Sequence, residues 1–492
     1  MGSNSNNRFD VVIVGLGPTG AMIANLLGME GLSVLALDRE EDIYDLPRAV
    51  HFDDEIKRAF QTIGISGQLT DYVIVNKGMR FLDYDSNLLL DWPREQQITS
   101  NGWHASYRFH QPDLERIMRA ALARYPNVVM RLGCTVDQLV EREDSVPVHF
   151  TSEQAGRSEV VSADYVIGAD GARSIVRDAM GAKMKMLGFQ QRWLVTDLLL
   201  KHPMPELGDY TVQYCDDVRP ATYCRNPGMR RRWEFALHDH ETDEEMTKPE
   251  MVWSLLKRWI TPDDAELERI AVYTFKSCVA DRWRKGRMFV AGDAAHLTPP
   301  FMGQGMCAGI RDAVNLSWKI SRVLRYHVPD ELLDSYESER KPNVTQFIET
   351  AVGLGELINR MGTGEQLAKD KKMESIQSSL GPGLGIETDP LRGKLFPQFR
   401  LSSGEMLDDF IGTNAFVARK NGSNESVDGL TVLTGKQEPA LVSVLGDLQA
   451  DEVIVRPDRY ILASSGNDLQ ALECRKNELA MILRYENHTK VN

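Results

Sequence analysis

The 492-residue sequence predicts an α/β fold, and three glycine-containing turns carry this prediction. The turns begin at Gly15, Gly168 and Gly292, each after a short apolar run typical of a buried strand, and each leads into a helical pattern. Between the turns, residues 78–103 and 188–275 alternate as strands do. We therefore expect a Rossmann-like domain into which a separate β-sheet region is inserted.

Length and composition limit the classes of protein that fit. A chain of 492 residues exceeds one ordinary core, so two or three domains are expected. The apolar share of 42% and the charged share of 26% are typical of a soluble globular protein. The net charge is −14, and basic residues form no long cluster beyond Arg230–Arg232, which argues against a nucleic-acid partner.

Cysteine spacing and the first residues bear on metals and cell compartment. The six cysteines are widely spaced without a C-x-x-C pair, so neither a metal site nor a disulfide framework is predicted. Residues 1–10 are polar and predict no secretory leader. The apolar stretch from Val11 carries glycines, Asn25 and Glu30, which argues against a membrane helix. We expect a cytoplasmic protein.

The first glycine turn lies inside a complete βαβ pattern. The strand Val11–Val14 runs into G-L-G-P-T-G, and the helix that follows ends at Gly31, before a second strand, Ser33–Leu37. This order is typical of dinucleotide binding, because the glycines admit a pyrophosphate to the helix N-terminus and the acid after the second strand suits a ribose hydroxyl. Arg39, next to Asp38, is also compatible with binding the phosphate of a nicotinamide dinucleotide phosphate, so this cofactor is a second possibility. The candidate contacts are Gly15, Gly17, Pro18, Thr19, Gly20, Asp38 and Arg39.

The stretch around the last glycine turn also has a strand, a glycine turn and a helix in order. The apolar run Met288–Ala291 stops at Gly292-Asp293, and after two prolines Gly303-Gln304-Gly305 opens a helical pattern. A carboxylate at the end of a buried strand suits a ribityl or ribose hydroxyl. The free N–H groups and positive end of a helix suit an electron-rich ring or an anion.

The motif G-D-A-A-H followed by P-x-x-G-x-G resembles the second flavin fingerprint of the single-component flavoprotein aromatic hydroxylases, the class A flavoprotein monooxygenases. The resemblance implies FAD as cofactor, with Gly292 and Asp293 at the ribityl chain. It also places the loop Pro300, Gly303, Gln304, Gly305 and Met306 against the isoalloxazine ring. The sequence G-A-D-G at Gly168–Gly171 resembles a third fingerprint, in which Asp170 lies near the flavin pyrophosphate and the docked nicotinamide.

The resemblance implies three further residues near the flavin. An arginine at the position of Arg48 lies beside the pyrophosphate or the ring edge, and a glutamine like Gln111 contacts the flavin, with helix capping as its alternative. Many relatives have glycine where this chain has His51. We take His51 as a candidate base that ionises a phenol, the alternative being a bond that caps a helix.

Residues 188–275 resemble the substrate sheet of the 3-(3-hydroxyphenyl)propionate hydroxylases, which covers the flavin ring. Tyr214 and Tyr223 are candidate catalytic residues there, although aromatic residues in strands more often form core. Arg219, Arg225 and Arg232 are candidates for a substrate carboxylate, with surface or ion-pair roles as the alternative.

The predicted domains follow from these segments. The FAD-binding domain takes residues 1–75, 105–178 and 270–345, and the substrate domain takes 76–104 and 179–269. Residues 346–392 form a helical connector, and 393–492 resemble the thioredoxin-like tail of the larger hydroxylases. Without C-x-x-C this tail lacks dithiol chemistry, so we expect a packing or homodimer module.

The function implied by the resemblance is hydroxylation of a phenolic or related aromatic substrate with NADH or NADPH and dioxygen, through a flavin hydroperoxide. Three alternatives stay open from the sequence. They are the same chemistry on a heteroaromatic or secondary-metabolite substrate, a flavin halogenase whose usual tryptophan-rich signature is missing here, and a non-enzymatic escort of the same fold.

Overall fold

The structure is a computed structural model that describes residues 7–44, 48–153, 155–216, 219–359, 378–385, 387–422, 424 and 430–465. The strands are β1 (Arg8–Val14), β2 (Val34–Leu37), β3 (His51–Asp53), β4 (Val73–Val75), β5 (Gly78–Leu82), β6 (Leu88–Pro93), β7 (Ser106–Phe109), β8 (Val128–Arg131), β9 (Cys134–Leu139), β10 (Val146–Ser152), β11 (Arg157–Gly168), β12 (Met184–Leu200), β13 (Thr211–Tyr214), β14 (Ala221–Arg225), β15 (Arg230–Ala236), β16 (Ala265–Ala280), β17 (Arg284–Lys285), β18 (Met288–Val290), β19 (His296–Leu297), β20 (Phe416–Arg419), β21 (Thr431–Thr434), β22 (Glu452–Val455) and β23 (Ile461–Ser464). The helices are α1 (Pro18–Met29), α2 (Asp54–Thr62), α3 (Gln111–Ala121), α4 (Ile175–Ala179), α5 (Asp243–Met246), α6 (Pro249–Leu256), α7 (Gly305–Tyr326), α8 (Ser335–Asn359), α9 (Leu407–Ile411) and α10 (Pro439–Asp447).

The first sheet is the predicted Rossmann-like core. Its main path runs β17-β18-β11-β1-β2-β8, and β10 joins β11 with β9 beyond it. Neighbours from β18 to β8 along this path are parallel. Residues Val11 to Ile13 and the whole of β2 are fully buried, as expected for parallel strands covered on both faces. Helix α1 packs against α7, which brings the first and last glycine turns to one edge of this sheet.

The second sheet is the predicted insertion, with strand order β19-β16-β12-β15-β14-β13-β5-β6. Strands β5 and β6, from the predicted segment 76–104, join it because β5 pairs in parallel with β13. A small antiparallel sheet, β3-β7-β4, lies in the flavin-domain segments of the chain. The boundary predicted at residue 270 falls within one continuous strand, β16, because β16 stays paired with β12 on both sides of it.

Helix α8 runs from Ser335 to Asn359, past the domain end predicted at residue 345, and contains Pro342 in its interior. Proline costs a helix one hydrogen bond. The helix is anchored here by Glu339, whose buried carboxylate lies 2.7 Å from both the Lys319 ammonium and the Arg456 guanidinium. These contacts tie the helix to α7 and to the C-terminal part next to the proline. Residues 360–377 of the predicted connector lie outside the described residues.

The C-terminal part contains a four-stranded mixed sheet of order β21-β20-β22-β23. Strands β20 and β21 are parallel, and the other two pairs are antiparallel. Helix α10 connects β21 to β22. The assignment of this part as thioredoxin-like stays a prediction. In the described part of the chain, no helix is both long enough and apolar enough to cross a bilayer.

Candidate active site

The first glycine turn is shaped so that only glycine fits at two of its positions. Gly15 has φ +94°, and a Cβ there would lie 2.4 Å from the Ala169 carbonyl oxygen. A Cβ on Gly20 would lie 2.0 Å from the Gly15 carbonyl oxygen. At Gly17, by contrast, an added Cβ would meet nothing within 4 Å. The turn is therefore packed on its inner side and open at Gly17, where α1 begins and its first N–H groups lack helical partners.

Asp38 follows β2 and holds this turn in place. Its carboxylate accepts hydrogen bonds from the backbone N–H of Leu16 at 2.8 Å and of Glu40 at 3.0 Å, and Arg119 lies 3.3 Å from it. A carboxylate offers about four acceptor positions, so a ribose hydroxyl can still donate to it. Arg39 instead points outward and pairs with Glu40 at 3.1 Å.

The three fingerprints touch one another. The Cβ position of Gly15 lies 2.9 Å from the Asp170 Cα, and that of Gly292 lies 2.7 Å from the Thr19 hydroxyl. One oxygen of the buried Asp170 carboxylate accepts from the Val176 N–H at 3.3 Å, and the other has no partner among the described residues. Burial raises the pKa of Asp170, and several hydrogen bonds act in the opposite direction. An orphaned acceptor beside an open glycine turn fits a hydroxyl-bearing dinucleotide.

Asp293 is the acid predicted for the ribityl chain, and it faces open space. Its side chain is 39% exposed, although its neighbours Gly292 and Ala294 are buried. The Arg48 guanidinium lies 3.5 Å from its carboxylate. The two predicted cofactor residues are thus together at the rim of the first sheet.

A buried ion cluster behind Asp293 was missed by the sequence analysis. Asp312 of α7 accepts from the Gly292 N–H at 3.0 Å, and its carboxylate lies 2.7 Å from the His296 ring and 2.9 Å from the Arg340 guanidinium. Burial alone would raise the pKa of Asp312, but His296 and Arg340 outweigh it and lower the pKa. The only sequence signal was an acid within the apolar face Ile310, Ala313 and Val314.

The loop from Pro300 to Met306 turns sharply at Gly303, which has φ +63°. A Cβ at Gly303 would lie 3.0 Å from the His51 ring. Gln304 turns away from the cleft, because its amide bonds Asp53 at 3.2 Å and Arg311 at 3.0 Å. The Gln304 side chain is therefore engaged within the protein, whereas the Met306 side chain in the same loop is half-buried. Helix α7 begins at Gly305.

His51 lies in β3 behind this loop. One ring nitrogen is 2.8 Å from the Ser106 hydroxyl, and the other is 3.4 Å from the Gly303 carbonyl oxygen. Burial, then the nearby charge of Arg108, lowers the pKa of His51 to about 3. The ring is neutral at physiological pH and engaged on both sides, which suits holding Gly303 better than accepting a proton.

Gln111 is the first residue of α3, and its side chain bonds both the Arg48 segment and its own helix. Its carbonyl oxygen accepts from the backbone N–H of Arg48 at 2.9 Å and of Ala49 at 2.8 Å. Its amide donates to Glu115 at 2.7 Å. Gln111 thus positions the segment that carries Arg48 beside Asp293.

One face of the second sheet contacts the flavin domain. On this face Trp193 packs edge-on against Phe301 with ring centroids 5.9 Å apart, and Arg232 donates to the Arg48 carbonyl oxygen at 3.0 Å. Tyr214 and Tyr223 point to the other face, into a core cluster with Trp233 and Trp259. Neighbouring strand residues alternate between faces, so the residues beside these tyrosines face the flavin domain.

The three arginines considered for a substrate carboxylate are already paired. Arg219 binds Glu241, Arg225 lies 2.7 Å from Asp209, and Arg232 lies 2.7 Å from Asp197. All three arginines thus form ion pairs, which was the alternative to binding a substrate carboxylate.

The site thus belongs to a flavin-binding α/β protein, and comparisons with known proteins agree. The model of the family described as FAD binding domain matches residues 8–351. The chain is 37% identical over 440 residues to a probable NADH-specific resorcinol 4-hydroxylase of Rhodococcus jostii (strain RHA1), covering 87% of this chain and 81% of that protein. It is 36% identical over 396 residues to a 3-(3-hydroxy-phenyl)propionate/3-hydroxycinnamic acid hydroxylase of Mycolicibacterium gilvum (strain PYR-GCK), covering 80% and 67%.

Solved structures share the fold. Aklavinone-11 hydroxylase in complex with FAD and aklavinone has a TM-score of 0.82 at 21% identity, covering 98% of this chain and 100% of that chain. The flavin-dependent monooxygenase PieE in complex with FAD and substrate has a TM-score of 0.81 at 18% identity, covering 97% and 98%. The chain belongs to the FAD-binding domain family, and its recognition as a flavoprotein aromatic hydroxylase is confirmed.

Proposed function

We propose that this chain is an FAD-dependent monooxygenase that hydroxylates a phenolic aromatic substrate with NADH and dioxygen. The observation that carries the proposal is the contact between the three fingerprints, since segments at Gly15, Asp170 and Gly292 meet at one sheet edge around an open turn. NADH is favoured over NADPH by the name of the Rhodococcus relative. A phenolic substrate is favoured by both named relatives.

Bound FAD would supply electron transfer from the nicotinamide to dioxygen, and the protein would supply orientation and a dry site. The open turn at Gly17 would admit the pyrophosphate, and Asp38 would hold the ribose. Asp293 and Arg48 would hold the ribityl and phosphate groups. The positive end of α7 would stabilise negative charge on the ring.

The remaining site residues act in different places. His51 would position Gly303 and the loop at the ring, while Trp193 and Phe301 would exclude water from the cleft. Catalytic roles for His51, Tyr214 and Tyr223 stay predictions, and the observed contacts favour positioning for the first and core packing for the other two. The homodimer and the cytoplasmic location also stay predictions.

The test is reduction of the bound flavin by NADH in a stopped-flow spectrometer, with and without resorcinol or 3-(3-hydroxyphenyl)propionate. We expect one of these phenols to accelerate flavin bleaching and to give a product with one added hydroxyl group. A protein that binds no flavin, or a flavin whose reduction and product formation respond to neither phenol, would contradict the proposal.

We consider a second substrate class because aklavinone-11 hydroxylase shares the fold over 98% of this chain. That likeness concerns the fold alone at 21% identity. Adding a polycyclic phenol such as aklavinone to the same experiment separates the two classes by which compound accelerates bleaching.

A further inference from the structure

We propose that Tyr460 in the C-terminal part of the chain is a positioning residue for the loop of residues 300–306, which it holds through Glu55, Arg311 and Gln304. The inference rests on the proposed function, because this loop is the one assigned to the isoalloxazine ring. It gives the C-terminal part a role at the flavin site. Each link in the connection is a direct contact between side chains.

The first link joins the C-terminal sheet to helix α2. Tyr460 lies in the turn between β22 and β23, which the Arg456 N–H closes by donating to the Tyr460 carbonyl oxygen at 2.9 Å. The Tyr460 side chain is buried, and its hydroxyl group donates to the Glu55 carboxylate at 2.6 Å. Burial, then the charge of Glu55, raises the pKa of Tyr460 well above its usual value. The hydroxyl group therefore stays protonated and makes a charge-assisted hydrogen bond.

The second link is Arg311 of α7, whose side chain is only 5% exposed. Its three guanidinium nitrogens donate to three different side chains: to Glu55 at 2.5 Å, to Asp53 at 2.6 Å and to the Gln304 side-chain oxygen at 3.0 Å. The planar guanidinium fixes the directions of all three bonds. A change in the position of Glu55 is therefore transmitted to Gln304.

The last link is Gln304 itself, which lies in the middle of the loop. It follows Gly303, whose φ of +63° makes the sharp turn, and precedes Gly305, the first residue of α7. Its side-chain amide donates to Asp53 at 3.2 Å, so both ends of the amide group are held. We therefore expect the peptide groups on either side of Gln304 to follow the Arg311 guanidinium.

The C-terminal part also packs against the middle of α7, and this contact is separate from the connection through Tyr460. Trp318 lies in an apolar cluster with Val417 and Ile454, and its ring N–H donates to Asp458 at 3.0 Å. Trp318 is roughly 20 Å along the helix from Gly305, at 1.5 Å per residue. Removing the Tyr460 hydroxyl group leaves this packing in place and interrupts only the connection to the start of the helix.

The experiment compares the wild type with Tyr460→Phe in the full chain. In the apoprotein, the amide hydrogens of residues 300–306 should exchange about 10-fold faster in the variant, as for loss of a hydrogen bond to a charged group. In the holoprotein, the reduction potential of the bound flavin should become more negative, because the positive end of α7 is held less firmly at the ring. Wild-type exchange in the loop, or a wild-type potential, would overturn the proposal.

The matched control is Tyr165→Phe. Tyr165 is a buried tyrosine of β11 that also donates to a carboxylate, that of Asp330. This variant should leave loop exchange within about 2-fold of the wild type, because the hydrogen bond it loses is of the same kind but is not connected to the loop. Equal acceleration in both variants would assign the effect to general loss of stability and overturn the proposal.

A double-mutant cycle tests the route. Gln304→Ala breaks the last link, so adding Tyr460→Phe to it should change the FAD dissociation constant less than about 2-fold, whereas Tyr460→Phe alone should raise it about 10-fold. Effects that multiply in full would show that Tyr460 does not act through Gln304, and would overturn the proposal.

The inference and the proposed function fail separately. If Tyr460→Phe speeds loop exchange and shifts the flavin potential, but the wild type adds no oxygen to any phenol, the positioning role stands and the hydroxylase activity does not. If the wild type hydroxylates a phenol and the loop of Tyr460→Phe exchanges as in the wild type, the hydroxylase stands and the positioning role does not.

Discussion

The two sides of the cleft are built from different parts of the polypeptide. The flavin side is backbone: glycine turns at Gly15, Gly292 and Gly303 present peptide groups in conformations that a side chain would block. The substrate side is a sheet face of charged side chains, with Arg232 and Arg269 bound to Asp197. We therefore expect added side-chain atoms to disturb the flavin side. On the substrate side, the effect of a substitution should depend on the face of the sheet on which the residue lies.

The largest loss of stability should come from breaking the buried ion cluster around Asp312, which supports the flavin side of the cleft. Asp312→Ala leaves His296 and Arg340 buried without their acid, which costs about 3–5 kcal/mol of unfolding free energy. Urea unfolding of both proteins measures this. The exposed, paired Asp243 provides the control, since Asp243→Ala should cost less than about 1 kcal/mol. Equal losses in both variants would show that the cluster does not support the turn.

The next effect separates cofactor contact from folding. Gly17→Ala adds a methyl group that meets no protein atom within 4 Å, so the apoprotein should unfold at the same temperature as the wild type. The methyl group would obstruct the pyrophosphate, and FAD should bind about 100-fold more weakly. Gly353→Ala, also without a contact within 4 Å, should leave FAD affinity unchanged. Normal FAD affinity in Gly17→Ala would contradict the assignment of this turn to the FAD pyrophosphate.

The pH dependence of the unfolding free energy tests whether His51 is buried as a neutral ring. Its pKa is lowered to about 3 in the folded protein, against about 6.5 in the unfolded chain. The folded state holds the neutral ring, so this contribution to stability is complete above pH 6.5 and is lost as pH falls toward 3. Between pH 7 and pH 5 the wild type should lose about 2 kcal/mol more unfolding free energy than His51→Gln. Parallel losses in urea unfolding would contradict the buried neutral ring.

The smallest effects should come from the two tyrosines. Tyr214→Phe and Tyr223→Phe remove only a hydroxyl group on the face away from the flavin domain. We expect kcat/KM to stay within about 3-fold of the wild type, which is less than 1 kcal/mol of transition-state stabilisation. A loss of about 100-fold or more in either variant would return that tyrosine to the catalytic site.

The elements on the flavin side could be predicted from the sequence because the residues that define each of them are contiguous in the chain. Strand, glycine turn, helix and acid follow one another in the chain, and the elements at Val11–Asp38 and Met288–Gly305 form as expected. The positions of Gly15, Asp38 and Asp293 needed no knowledge of long-range pairing. The side-chain partners of Gln304 could not be predicted in this way, because Asp53 and Arg311 come from other elements.

The substrate side was predicted less well for a physical reason. A sheet was predicted for residues 188–275, but the face on which a residue lies depends on sheet pairing, and a shift of one residue exchanges the faces. Tyr214 and Tyr223 were therefore chosen from the core face. Arg108 comes from a segment far from β13 in the chain, so only the three-dimensional structure brings its guanidinium to the Thr211 hydroxyl.

The most direct test of the central claim is the origin of the oxygen in the product. The holoenzyme is given NADH, 3-(3-hydroxyphenyl)propionate and isotopically heavy dioxygen, and the product is analysed by mass spectrometry. A hydroxylase incorporates one heavy oxygen atom per product molecule, and the flavin remains bound throughout. A product that carries oxygen only from water, or NADH consumption that yields no oxygenated product from any phenol, would contradict the account.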